Sequence, residues 1–254
     1  MTPPRVLIIA GSDSGGGAGI QADIKTVTML GGHAMTAVTA ITAQNTVGVQ
    51  AVMPVPTEMV LEQIESVVGD IGVDAVKIGM IGSAATAEAV ADRLAQLAVP
   101  IVFDPVMVAT SGSVLADDAT IAVFERLMRM ASVVTPNLPE LEALGGEAAI
   151  LAHGCHLLVK GGHGAGDEIV DRLLAPGGSS REWRDRRIDS VNTHGTGCTL
   201  ASAIAVGLGA GMALEESIER ARLYVRAAIA AAPGFGGGHG PLGLPFEHIH
   251  KKDQ

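Results

Sequence analysis

The segment Asn192-Thr193-His194-Gly195-Thr196-Gly197-Cys198 places two glycines and a cysteine directly ahead of an alanine-rich stretch. Glycines let a backbone turn with its N–H groups pointing inward, and a helix start adds unpaired N–H donors and a partial positive charge. Such a nest stabilises the negative oxygens of a phosphoryl group in transfer. The same residues also suit an ordinary tight turn before a helix, and alone they leave both readings open. Cys198 lies inside the turn, where a helix N-terminus lowers a thiol from its free value of about 8.5 and would let it take a proton from an alcohol. Its competing role is that of a small buried apolar residue, the commoner fate of cysteine.

Other polar residues stand where apolar runs stop. Asp104 follows Ile101–Phe103, Asn137 and Glu140 follow Val133-Val134, and Lys160 follows 157–159 and precedes Gly161-Gly162. Asp104 and Glu140 suit Mg²⁺, usually through water. Lys160 could reach a phosphate as a point charge. With the anion nest, these are the electrostatic parts that phosphoryl transfer requires. The run Gly11-Ser12-Asp13-Ser14-Gly15-Gly16-Gly17-Ala18-Gly19 looks like a second phosphate loop. It lacks a Gly-Lys-Ser/Thr ending, and its glycines do not fit the dinucleotide spacing. Its small residues would instead let backbone approach a planar ligand. Asp23, on the following turn, could hold polar ligand groups or serve only as a helix-start acid.

These residues must be positioned by strands and helices in alternation. Short, mostly apolar segments at 6–10, 35–41, 75–78, 101–103, 133–134 and 157–159 read as strands. Helical segments are expected at about 20–30, 57–68, 84–97, 117–130, 196–209 and 214–231, with Pro54–Pro56 as a break and Thr57 as a soft cap. Segments 169–173 and 183–188 look like an antiparallel pair near an edge, which would make the basic stretch 181–187 a solvated strand or flap. The alternation predicts an α/β three-layer sandwich, a mostly parallel sheet with helices on both faces, in one domain over 1–254. Ligands in such sheets bind beyond the carboxyl ends of the strands, which is where the polar residues fall.

Composition narrows the partners. The 254 residues are 48% hydrophobic but only 2% aromatic, so the core must be Ala, Val, Ile, Leu and Met. A net charge of −10 argues against a nucleic-acid-binding surface. No apolar run has the length of a membrane span, and the two cysteines do not suggest a disulfide framework; the expected location is the cytoplasm.

The motifs at 10–26 (AGSDSGGGAGIQADIKT), 40–48 (AITAQNTVG), 76–82 (VKIGMIG), 104–107 (DPVM), 135–140 (TPNLPE), 159–163 (VKGGH), 192–200 (NTHGTGCTL) and 237–241 (GGHGP) span the chain. In these the chain resembles the hydroxymethylpyrimidine/phosphomethylpyrimidine kinases of thiamine biosynthesis, in the ribokinase-like superfamily. The resemblance implies ATP-dependent phosphorylation of a hydroxymethyl group and then of the resulting phosphate, with pyridoxal kinase as the closest alternative. It implies that Gln44 hydrogen-bonds the aminopyrimidine edge, with Asp23, Ala18, Gly11, Met80 and Val106 around the ring. Gly195, Thr196, Gly197 and Cys198 would form the anion hole, and Cys198 stands where most of the superfamily has a catalytic Asp. Lys160, Asp104, Asn137, Glu140 and Thr193 would handle the ATP phosphates, with Asp104 and Glu140 toward Mg²⁺. A homodimer is expected from the family. The segment between Glu140 and Leu157 is shorter than the family pattern, as though a helix were trimmed.

Overall fold

A computed structural model describes residues 2–109, 112–163 and 166–245. The strands are β1 Arg5–Asp13, β2 His33–Gln44, β3 Val49–Pro54, β4 Ala75–Ile78, β5 Ile101–Phe103, β6 Val133–Val134, β7 His156–Val159, β8 Glu168–Leu174 and β9 Ser180–Arg186. The helices are α1 Gly19–Met29, α2 Thr57–Asp70, α3 Ala84–Leu94, α4 Asp118–Met130, α5 Leu138–Ala143, α6 Glu147–Leu151, α7 Thr196–Gly209 and α8 Leu214–Ala230. The sheet order is β3-β2-β1-β4-β5-β6-β7-β8-β9. The run from β2 to β7 is parallel, and antiparallel strands close both edges.

Alternation along β1 sends its side chains into two cores. Leu7 and Ile9 pack with Ile64 of α2, Val90 of α3 and Phe124 of α4. Val6 and Ile8 pack with Val27 of α1, Ile204 of α7 and Ile218 of α8. The expected three layers are therefore present. With so few aromatics, the ring pair Phe103–Phe124 is a local anchor, its centroids 5.1 Å apart and its planes at 85°. Strand order reverses about β1, which has β2 on one side and β4 on the other. This is a switch point, and the crevice beyond it is the expected ligand site.

Several boundaries move. β1 runs on through Asp13, into the Gly-rich segment, and β2 runs on to Gln44. β3 falls between the expected elements: nearly every residue in it is exposed, so it carries no inward-facing alternation to read. Thr57 is the first residue of α2 rather than its cap, and α3 stops at Leu94 instead of 97. The short stretch before β7 holds the small helices α5 and α6. The edge pair forms as β8 and β9, with Arg181 stacked 4.9 Å over the Trp183 ring and paired with Glu215 and Glu219.

Phe124→Ala should cost about 3–5 kcal/mol, because the buried ring leaves a cavity against Phe103. Urea unfolding should show a lower midpoint with an unchanged slope.

Candidate active site

The turn before α7 is built by close backbone approach. Gly195 caps the helix with φ of 86°, a left-handed conformation, and a Cβ there would lie 1.9 Å from the Gly17 carbonyl oxygen. The Gly-rich loop therefore lies directly against this turn, and Thr196, Gly197 and Cys198 open the helix beyond it. A Cβ on Gly197 would come 3.3 Å from Lys160 Nζ and 3.5 Å from Asp104 Oδ2. The nest and the strand-end charges thus share one space. Thr193 is half-buried at the entry to the turn, its carbonyl accepting from Thr196 N–H at 3.3 Å.

Lys160 Nζ donates to Asp104 Oδ1 at 2.7 Å and lies 3.8 Å from Glu140 Oε2. Burial alone would lower the Lys160 pKa, but Asp104 and Glu140 more than offset it and the ammonium is held above its ordinary value. Glu140 moves up, pushed first by burial and opposed by Lys160. Asn137 caps α5: its side chain accepts from Glu140 N–H at 2.9 Å while Glu140 Oε2 accepts from Asn137 N–H at 2.8 Å. The expected direct role of Asn137 at phosphates is thereby narrowed, because its Oδ1 is committed to the cap. Behind Lys160, the Gly161 N–H donates to Asp171 Oδ1 at 2.9 Å, and Asp171 Oδ2 is held by Arg222 at 2.7 Å. The β8 strand and α8 thereby fix the turn that carries the lysine.

Two expected residues lie in settings the sequence did not foresee. Cys198 was expected to have a lowered pKa at the helix start. Burial instead pushes the thiol up to about 11, Lys77 pulling it down and Asp23 and Asp104 pushing it further up. Asp23 was expected to touch the ring. It is wholly buried and its oxygens are occupied: Lys77 Nζ donates to both, at 3.0 and 2.8 Å, and Ser202 Oγ donates to Oδ1 at 2.7 Å. Ser202 lies one helical turn after Cys198, so this buried pair underlies the thiol's face of α7.

On the other side of the cleft, Gly11 lies against Met80, where a Cβ would meet the thioether sulfur at 3.0 Å. Val106 is half-buried on the bend after Asp104, its N–H donating to the Asp104 carbonyl at 2.8 Å. Gln44 ends β2, its Oε1 3.1 Å from Thr42 Oγ1 and its Nε2 3.4 Å from His194 Nε2. Ala18 donates its N–H to Asp13 Oδ2 at 2.8 Å.

Asp13 and His194 were not assigned roles from sequence. Asp13 accepts N–H donors from Gly15, Gly17 and Ala18 at 2.8–3.0 Å and lies 2.9 Å from His194 Nε2. Burial would raise its pKa, but His194 and the backbone donors outweigh that and hold the carboxyl below its ordinary value. The only sequence signal was an acid inside a glycine run, which reads equally well as turn chemistry.

The family described as phosphomethylpyrimidine kinase matches residues 13–243, which include most of the Gly-rich loop, Lys77, Lys160 and the anion turn. The chain belongs to the phosphomethylpyrimidine kinase family. It is 49% identical to the hydroxymethylpyrimidine/phosphomethylpyrimidine kinase of Streptomyces coelicolor, over 95% of this chain and 94% of that protein. Among solved structures it is similar to the phosphomethylpyrimidine kinase of Clostridium difficile 630, at 36% identity and a TM-score of 0.77, covering 89% of this chain and 99% of that one. It is also similar to an ADP complex of Bacillus subtilis pyridoxal kinase, at 31% identity and a TM-score of 0.87, covering 96% and 98%. The fold is the ribokinase-like sandwich these kinases share, and no helix among the described residues is long and apolar enough to cross a membrane.

Lys77→Met should cost about 3–5 kcal/mol by leaving the Asp23 charge buried and unpaired, and Lys77→Met with Asp23→Leu should recover most of it in urea unfolding. Asp13 should stabilise the fold fully above its ordinary value of 3.8, a contribution lost as pH falls through its lower folded value. Unfolding curves of the wild type and Asp13→Asn should therefore differ most near neutrality and converge in acid.

Proposed function

We propose that this kinase transfers the γ-phosphoryl group of ATP to the hydroxymethyl group of 4-amino-5-hydroxymethyl-2-methylpyrimidine, and then to the phosphate so formed. One observation carries the reading. Gln44, the residue suited to the ring edge, lies 3.4 Å from His194, which directly precedes Gly195 of the anion turn. A ring held by Gln44, with Gly11, Ala18, Met80 and Val106 around it, would direct a short substituent toward Gly195–Cys198.

In transfer, the bond from Pγ to the β,γ-bridging oxygen breaks and leaves ADP, the bond from the hydroxymethyl oxygen to Pγ forms, and the hydroxyl proton passes to a phosphate oxygen or to water. The N–H groups at Gly195–Cys198 stabilise the charge on the moving group, and Lys160, with Thr193 at the entry, serves its phosphate oxygens. Asp104 and Glu140 present hard oxygen donors beside Lys160, which fits Mg²⁺ held partly through water. No group of three or more His, Cys, Asp or Glu gathers among the described residues to hold a metal ion. The ion would therefore complete its shell with nucleotide phosphates and water, neutralising charge between them. The cytoplasmic location and homodimeric state expected from the family belong to the same reading.

Cys198 enters this scheme as a thiol rather than a ready base, since a value of about 11 leaves it protonated at neutral pH. Transfer through a loose transition state asks little of a base, because the alcohol proton leaves late. The second acceptor, a phosphomonoester with a second pKa near about 6, is already an anion. Cys198→Ala should therefore lower the two steps by similar factors. A loss confined to the first step, on the order of 10²-fold or more, would make the thiol the base after all.

The structural likeness to a pyridoxal kinase supports a second reading, with pyridoxal as an acceptor. ADP release measured side by side should give the highest kcat/KM with the two pyrimidines. A preference for pyridoxal would reverse the assignment.

A further inference from the structure

An amide has an oxygen and a nitrogen of nearly the same shape, so what Gln44 recognises depends on which atom faces which neighbour. Those neighbours decide. A carboxylate can only accept, and His194 Nε2 lies 2.9 Å from Asp13 Oδ2, so Nε2 carries a hydrogen. A nitrogen that carries hydrogen cannot accept from an amide N–H, but it can share its hydrogen with an amide oxygen. On the other flank, Thr42 Oγ1 lies 2.8 Å from the Ser12 carbonyl oxygen. That carbonyl only accepts, so the single hydroxyl hydrogen of Thr42 is spent there and Oγ1 is left to accept. Both flanks demand that the amide turn over from the placement with Oε1 beside Thr42 and Nε2 beside His194: oxygen toward His194, nitrogen toward Thr42. The hydrogen bonds then run without conflict, from Gln44 to Thr42 to Ser12, and from His194 to both Asp13 and Gln44.

We infer that Thr42, His194 and Asp13 are positioning residues that set the donor–acceptor order of Gln44 and thereby its choice of ring edge. Gln44 is left with one N–H and one oxygen lone pair side by side. Their complement is a ring nitrogen beside an exocyclic amino group, in one order only. The 4-oxo counterpart of the same ring presents N–H beside a carbonyl. It would meet donor with donor and acceptor with acceptor, whereas a freely turning amide would accept either ring. This inference rests on the proposed contact between Gln44 and the ring.

The test has two arms. First, kcat/KM is measured for the 5-hydroxymethylpyrimidines bearing 4-amino and 4-oxo groups. Thr42→Val should shrink the amino-over-oxo preference by at least about tenfold without moving the KM for ATP, and His194→Ala should shrink the preference as well. His194→Gln, which returns an N–H close to the lost one, should restore it. An unchanged preference in Thr42→Val overturns the inference, and that variant decides alone if His194→Ala does not fold. Second, NMR of the ligand-free protein should show contacts from the Gln44 side-chain amide protons to Thr42 rather than to the His194 ring. The opposite pattern refutes the orientation whatever the substrate. Turnover of neither pyrimidine by the wild type would sink the proposed function instead, leaving the NMR arm to judge the orientation.

Discussion

The contact between Gly17 and Gly195 is the constraint on which the site depends. One belongs to the loop after β1 and the other to the cap of α7, and neither position has room for a side chain: a Cβ on Gly17 would lie 2.4 Å from His194, and one on Gly195 1.9 Å from the Gly17 oxygen. Two backbones this close must be held by something other than side-chain packing. The Asp13 carboxylate does it, gathering N–H donors from its own loop on one side and the His194 imidazole on the other. Through this junction the ring side and the phosphate side become one cleft.

Charge around the nest is arranged in opposed pairs. Lys77 answers Asp23 beneath α7, and Lys160 answers Asp104 and Glu140 in front of it. Each ammonium stays charged because a carboxylate offsets the cost of burial. The environment can thus present positive charge to phosphates while the thiol between these groups stays neutral. A helix start alone would have lowered the thiol; burial near two carboxylates is the larger effect here.

The sequence made the layers legible because most of the buried strands are apolar runs and the helices carry plain periodicity. Both edges were harder. β9 could be foreseen from Trp183 among charged residues, but β3 has no buried face and so leaves no pattern. In the site, Lys160, Asp104 and Glu140 were legible because each follows an apolar run. Lys77 was not, since a lysine inside the buried strand β4 makes sense only with its distant partner Asp23. The partner of Asp23 was hidden for the same reason: one-dimensional spacing shows that an acid begins a helix but not that a lysine 54 positions away pairs with it. Asp13 and His194 acquire meaning only together.

Their separation has a consequence for how the protein is made. The partners Asp13 and His194 are 181 positions apart, and His194 is itself bridged to Pro241. During synthesis the glycine loop leaves the ribosome early and must wait, its carboxylate without its imidazole, until almost the whole chain has emerged. Closing so large a loop costs more chain entropy than joining neighbouring strands. A chain that still lacks α7 and α8 therefore has neither the cleft nor a cover for the face of the sheet that carries Val6 and Ile8, and competence for chemistry arrives only with the last part of the chain.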